Sequence, residues 1–237
     1  MALVTGSSHL QLGLSARALH GSGIWGSYAD AILPGLHLVE GGQTSTGSIV
    51  NWFRKLAGRD VPYEALDAEA AAVAIGSEGV LVQDHFQGNR TPHTDPLSRG
   101  AIVGLSLKHD RGHILRAMME SVAYGTRLIL ENMAANGFAV RELTLAGGVA
   151  KSPLWLQIHA DVVGLPLKLT QTSEAACLGS AVLAAVGAGS FGSVAEGARA
   201  MTRVTRVVEP DPRAHAAYAR HYGRYRALYP VLGPLTA

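Results

Sequence analysis

Two adjacent glycines, Gly147 and Gly148, interrupt the segment LTLAGGVAKSPLWLQIHADVVGLPLKLT at residues 143–170. Leu143, Thr144 and Leu145 read as a short β-strand, and the chain must turn sharply from it into SPLWLQIHADVVG. Glycine adopts positive φ and carries no Cβ, so another group can approach such a backbone closely. The helix that follows opens well. Ser152 is a good N-cap, and Pro153 at the first helical position has no N–H to leave unsatisfied. Leu154, Ile158 and Val162 repeat at the spacing of one apolar helix face. A glycine turn running into a helix N-terminus is a natural seat for phosphate, because free N–H groups and the helix dipole point at it. It is equally a tight strand–helix corner with no ligand, so the rest of the chain has to decide.

With 237 residues there is interior enough for one large or two small domains. Hydrophobic residues make up 48% and charged residues 16%, the balance of a packed globular protein. The formal net charge is +2 and the basic residues are scattered, which gives nucleic acid binding no support. In the C-terminal ARHYGRYRAL, Tyr218, His221, Tyr222 and Tyr225 fit one packed face of a terminal helix. The single cysteine, Cys177, lies in the apolar run AACLGSAVLAAVGAG and reads as a small buried hydrophobe in a reducing compartment. No signal peptide is apparent, and the apolar run near 175–189 is too short to span a bilayer. The expectation is a cytoplasmic protein with no membrane partner.

Along the chain, MALVTGSSHLQLGLSA reads as two β runs around a hairpin tip at Gly6, Ser7 and Ser8, whose N–H and hydroxyl groups could hold an anion. A strand at the very start suggests that the polypeptide begins within a larger fold. A looser stretch, GSGIWGSYADAILPG, precedes a strand in LHLVEG. Thr46 or Gly47 then leads into a helix with Ile49, Val50 and Phe53 on its apolar side, and PYEALDAEAAAVA is a second helix with acids in its first turns. A long polar loop with Pro92 and Pro96 separates two β runs, and loops of this length are usually functional. The longest helix is expected from Asp110 to Asn136, capped by Gly137, with Ile114, Met118, Val122, Ile129 and Met133 buried. A strand in LPLKLT, an Ala/Gly-rich helix, a connector and a helix from about Pro212 complete an α/β domain with a mixed sheet.

Among ten histidines, His109 and His113 alone pair at helical spacing; they bracket a helix start with no third ligand, so no metal site is expected. No nucleophile elbow or P-loop occurs. Asp161 suits a hydrogen bond between elements. Asp84 and Asp95 lie in the long loop and could meet a substrate, although Asp95 before Pro96 also suits an Asx turn. Three turns remain: Gly6–Ser8, Gly41–Gly47 and Gly147–Ser152. With no competing chemistry, they favour a nucleotide phosphate held by backbone donors. AGGVAKSP is not the dinucleotide fingerprint, and a well-placed acid about 20 residues on is lacking.

Four segments carry a resemblance over nearly the whole chain: TGSSHLQLGLS, VEGGQTSTGSIVNWF, FQGNRTPHTDPLSRGAIVGL and LAGGVAKSPLWLQIHADVVGLPL…EAACLGSAVLAAVGAG. Together they resemble the C-terminal domain of the FGGY carbohydrate kinases, the family of glycerol kinase, xylulokinase and ribulokinase. The resemblance implies the ribonuclease-H-like fold of the actin, Hsp70 and hexokinase superfamily (ASKHA), a mixed sheet flanked by helices, spanning residues 1–237 as the nucleotide-binding domain. It places Gly6 and Ser7 in the phosphate hairpin and Gly47 with Asn51 at a second nucleotide contact. It also places Gly147 and Gly148 against the nucleotide, with Ser152 near the base. The family's Gly-Thr-Ser is Gly-Ser-Ser here, and Ser152 stands where Asn is frequent. The implied reaction is transfer of the ATP γ-phosphate to a hydroxyl of a sugar or polyol, with Mg²⁺ on the phosphates and an aspartate as base. The sugar site and that aspartate belong to a preceding N-terminal domain, so no catalytic residue is assigned and the chain alone is expected to be inactive. Its expected partners are that domain or a second copy of itself. GGQTSTG with GNRTP leans toward the pentulose and ribulose branch. The alternative is a non-catalytic nucleotide-binding or assembly module derived from such a kinase.

Overall fold

The protein is described by a computed structural model that covers residues 1–58 and 61–236. The chain opens with a hairpin, β1 (Ala2–Thr5) and β2 (His9–Ser15), followed by β3 (Gly26–Ala29) and β4 (His37–Gln43). Two helices come next, α1 (Gly47–Ala57) and α2 (Tyr63–Ala71). A small ribbon, β5 (Leu81–Gln83) and β6 (Ala101–Val103), encloses the long polar loop. Then follow α3 (Arg111–Ala135), β7 (Leu143–Gly147), α4 (Pro153–Val163), β8 (Leu167–Thr170), α5 (Ala175–Gly187), α6 (Val194–Met201), β9 (Val204–Val208) and α7 (Pro212–Thr236).

Seven strands form one sheet in the order β3-β4-β2-β1-β7-β8-β9. The centre is parallel, β1 with β7 and β7 with β8, and both flanks are antiparallel, which makes the sheet mixed. Alternation along the strands divides the sheet into two unequal faces. Leu3, Leu143, Leu145 and Leu167 are buried in the main core together with residues of α3 and α4. Ala2, Val4 and Thr144 line an apolar groove shared with Leu178 and Val182 of α5.

The sequence signals act at the helix ends. Asp110 caps α3 by accepting from the Gly112 and His113 N–H groups, and His113 closes a capping box with it. Met118, Val122, Ile129 and Met133 of α3 are fully buried, while Ile114 is half-buried. The C-cap of α3 is Asn136, and Gly137 follows one residue later at φ +89°. The α7 helix docks through Tyr218, Tyr222 and Tyr225, as its aromatic stripe implies. Beneath it, the Glu120 carboxylate accepts from the Gly76 N–H, the Ser77 hydroxyl and Arg116 Nε, while Arg116 Nη2 donates to the Tyr218 hydroxyl. Removing one partner of so buried a pair leaves an uncompensated charge, at a cost of about 3–5 kcal/mol.

Three readings need correction. β3 lies in the stretch taken as irregular, and α6 and β9 occupy the connector before α7. Cys177 is exposed rather than buried, because α5 is apolar on every side yet buries only Val182. Among the described residues no helix is long and apolar enough to cross a membrane.

Candidate functional site

The hairpin tip, the start of α1, the β7–α4 corner and α2 surround a cleft of about 310 Å³. Its origin lies in backbone contacts between remote segments. The Ser7 carbonyl accepts from the Thr46 N–H at 2.9 Å, the Ser48 N–H at 3.3 Å and the Ser48 hydroxyl at 2.8 Å, and the Gly6 carbonyl accepts from the Gly47 N–H at 3.1 Å. The first N–H groups of α1, orphaned by helix geometry, are thus satisfied by the hairpin. A Cβ on Gly47 would lie 2.3 Å from the Gly6 carbonyl oxygen, so this glycine is required by the close approach of the tip.

The double glycine divides in function. Gly147 sits at φ +102° opposite Thr5 in the parallel β1–β7 register, and a Cβ there would lie 1.9 Å from the Thr5 carbonyl oxygen. The fold itself demands glycine at 147. Gly148 has no positive φ, and its nearest neighbour to an added Cβ is that same oxygen at 3.8 Å, an ordinary contact. Gly6 is likewise open, with the Ser8 carbonyl oxygen 3.7 Å from the added atom. Gly6 and Gly148 both line the cleft. Their missing side chains leave its floor as bare backbone, and nothing in the packing requires it.

Four of the seven residues expected at a nucleotide site line the cleft: Gly6, Gly47, Gly148 and Ser152. Ser7 is exposed at the adjoining tip, and Gly147 stands behind Gly148 against β1. Asn51 stands one step back, its Oδ1 accepting from the hydroxyl of Tyr63, which does line the cleft. Ser152 caps α4 through Oγ, which accepts from the Trp155 N–H at 3.1 Å. Sequence reasoning missed Lys151 and Trp155 and the α2 wall of Tyr63, Glu64 and Asp67. Acids in a first helical turn complement the helix dipole, so nothing local marked these two as cleft residues.

The loop aspartates are both committed elsewhere. Asp84 accepts from the Tyr225 hydroxyl at 2.6 Å and from Gln43 Nε2 at 3.0 Å. Gln43 in turn accepts from Thr126, so this buried network locks the end of β4 to α3 and α7. Asp95 forms the Asx turn to the Leu97 and Ser98 N–H groups and accepts from the Tyr229 hydroxyl. Neither carboxylate is placed to act as a base. Asp161 bonds between elements, accepting from the Asp211 N–H at 2.8 Å. Among the described residues no group of three His, Cys, Asp or Glu could hold a metal ion.

The cleft thus lies between a strand hairpin and a strand–helix corner of one mixed sheet, with unforced glycine on its floor. Residues 1–188 match the FGGY family of carbohydrate kinases, C-terminal domain. The chain belongs to this family. An FGGY carbohydrate kinase domain-containing protein of Danio rerio is 34% identical over 251 residues, covering 97% of this chain and 46% of that protein. A ribulokinase of Bacillus licheniformis is 32% identical, covering 98% of this chain and 45% of its own length. The crystal structure of xylulose kinase from Rhodospirillum rubrum superposes with a TM-score of 0.85 at 31% identity, covering 99% of this chain and 47% of the other. The fold is that of the FGGY sugar kinases, within the ASKHA class. This chain spans about half the length of the relatives it matches, and it aligns with the C-terminal part of them.

Proposed function

We propose that this chain is the nucleotide-binding half of an ATP-dependent carbohydrate kinase, which transfers the γ-phosphate to a hydroxyl of a pentulose or related sugar or polyol. One observation carries the reading: Gly6 and Gly148 are glycines that the packing does not require, and both lie on the cleft floor. Bare backbone there lets phosphate oxygens approach N–H donors closely. Gly148 opens the turn leading to α4, and Lys151 lines the same cleft. Val50, Met119, Val149 and Trp155 offer an apolar bed for a base. ATP would bring Mg²⁺ with its phosphates; the chain's own share is to bind and orient the nucleotide.

Titration calorimetry with Mg-ADP tests this directly. Gly148→Val puts a side chain on the floor at a position where a Cβ makes only an ordinary contact, and affinity is expected to fall at least about tenfold, the loss of roughly one good interaction. Equal affinity in the two proteins removes the double glycine from the site.

A carboxylate that serves as base in phosphoryl transfer must lie within hydrogen-bond reach of the accepting hydroxyl. The two acids of the long loop are bound by Gln43, Tyr225 and Tyr229, which supports placing the base and the sugar site outside this chain. The chain alone is therefore expected to phosphorylate ribulose, xylulose, erythritol or glycerol no faster than background in a coupled ADP-release assay. Sugar-dependent turnover by the isolated chain would refute that division of labour. The apolar groove between the sheet and α5, with Leu183 and Ile32 exposed beside it, is the face on which a further domain or a second copy would pack.

A further inference from the structure

Three successive residues where β4 runs into the turn before α1, Gln43, Thr44 and Ser45, each donate a side-chain hydrogen bond to the start of the long loop. Gln43 Nε2 donates to the Asp84 carboxylate at 3.0 Å, the Thr44 hydroxyl to the Gly88 carbonyl at 2.7 Å and the Ser45 hydroxyl to the Asp84 carbonyl at 2.9 Å. One residue further, the Thr46 N–H donates to the Ser7 carbonyl at the hairpin tip. The loop therefore grips the same turn that anchors the tip.

Asp84 is buried, and among the described residues no lysine or arginine pairs with it. Its side chain is held instead by two neutral donors, Gln43 Nε2 and the Tyr225 hydroxyl at 2.6 Å. A buried carboxylate depends on such donors, because it accepts hydrogen bonds and supplies none. The α3 helix leaves room for the pair: a Cβ on Gly125 would collide with Gln43 Nε2 and lie 3.0 Å from Asp84 Oδ2. Tyr225 supplies its donor from α7, beyond the residues 1–188 that match the family. Without that hydroxyl, Asp84 Oδ1 reaches a donor only by moving toward water, and the move carries away the carbonyl that Ser45 holds.

We infer, on the nucleotide reading above, that Tyr225 is a positioning residue for the cleft. Through Asp84 it fixes the turn at residues 43–46, and through that turn the tip that carries Gly6 and Ser7. Tyr225 lines no part of the cleft. It acts along a contiguous set of hydrogen bonds, keeping the floor in the arrangement from which backbone N–H groups converge on phosphate.

The test compares Tyr225→Phe with Tyr222→Phe in the full chain. Each removes one hydroxyl from the buried side of α7 and keeps the ring, but the Tyr222 hydroxyl donates to Glu131, which bonds to Arg127 and not to the loop. Amide hydrogen exchange reads Thr46, Gly47 and Ser48, whose N–H groups bond to the tip, against Met118 and Met119 in the core of α3. In Tyr225→Phe the three turn amides are expected to exchange about tenfold faster relative to the α3 pair, the worth of one hydrogen bond to a charged group. Calorimetric titration is expected to show Mg-ADP binding about fivefold more weakly, since part of that loss reaches the tip. Tyr222→Phe moves neither quantity. Ser45→Ala cuts the same link at its other end and gives the pattern of Tyr225→Phe, so it decides the matter if that variant does not fold. Turn amides that keep their relative protection overturn the proposal. So does an Mg-ADP affinity that stays unchanged while they lose it, because the network then only braces the fold. Wild-type protein that binds no Mg-ADP overturns the nucleotide reading itself, and the positioning role with it, whatever the exchange result.

Discussion

Replacing Gly147 by alanine destabilises the protein by about 3 kcal/mol or more, while the same replacement at Gly148 leaves stability nearly unchanged and reduces nucleotide affinity. The two residues are adjacent, chemically identical and equally conspicuous in the sequence, yet their surroundings differ. At Gly147 a methyl group meets the Thr5 carbonyl oxygen at 1.9 Å, in a backbone conformation of φ +102° that L-residues rarely adopt. Relief requires β1 to move away from β7 at the centre of the sheet, where Thr5 also donates its hydroxyl to the Ala146 carbonyl and accepts from the Val149 N–H. At Gly148 the methyl group makes an ordinary contact and projects beside the cleft. For a domain of this size, about 3 kcal/mol corresponds to a fall in Tm on the order of 10 °C. Denaturant unfolding of the two alanine variants measures the difference. Equal destabilisation would mean that the double glycine serves the corner alone and that the cleft floor is incidental.

That contrast also marks what the sequence could reveal. Helix ends were legible because capping is local: Ser152 with Pro153, and Asp110 with the apolar spacing of α3, need no partner to be recognised. The glycine turns were legible as turns, but which glycine serves the fold and which the ligand depends on β1, more than a hundred residues away in the chain. β3 escaped because Gly26–Ala29 is a four-residue flanking strand without alternation, ordered by pairing with β4. Cys177 was misplaced for the opposite reason. An all-apolar helix reads as buried, and α5 keeps most of its surface open beside the sheet groove. Glu64 and Asp67 carried no mark as cleft residues either, since α2 reaches the cleft by packing on α3, and its acids alone signal only a helix start.

Stability is expected to fall steeply as pH drops below about 6.5, through two histidines beneath the cleft. His9 follows the hairpin tip directly and is fully buried; neither of its ring nitrogens has a partner among the described residues. His159, also fully buried, lies against it at 5.4 Å between ring centroids, and Trp155 packs on both. His159 Nδ1 donates to the Trp155 carbonyl, which leaves Nε2 unpartnered. Burial lowers His159 to about 4, and burial together with His159 takes His9 well below its ordinary value. His159 is neutral in the folded protein at pH 5 and burial favours the neutral form of His9, whereas the unfolded chain protonates both from about 6.5 downward. Their contribution is complete above 6.5 and is lost as pH falls toward the folded values. For His159 alone the loss at pH 5 is about 2 kcal/mol. Raised carboxyls such as Asp67 and Asp161 act in the opposite sense, so the decisive quantity is a difference between proteins. Thermal unfolding between pH 7.5 and 5 should show a smaller loss in His159→Leu than in the wild type. Because Trp155 lines the cleft and His9 continues the hairpin, charging the pair would loosen the cleft floor and its apolar lining together. Parallel pH profiles for the two proteins would show that these rings find compensating partners on protonation, and would remove them as the source of acid sensitivity.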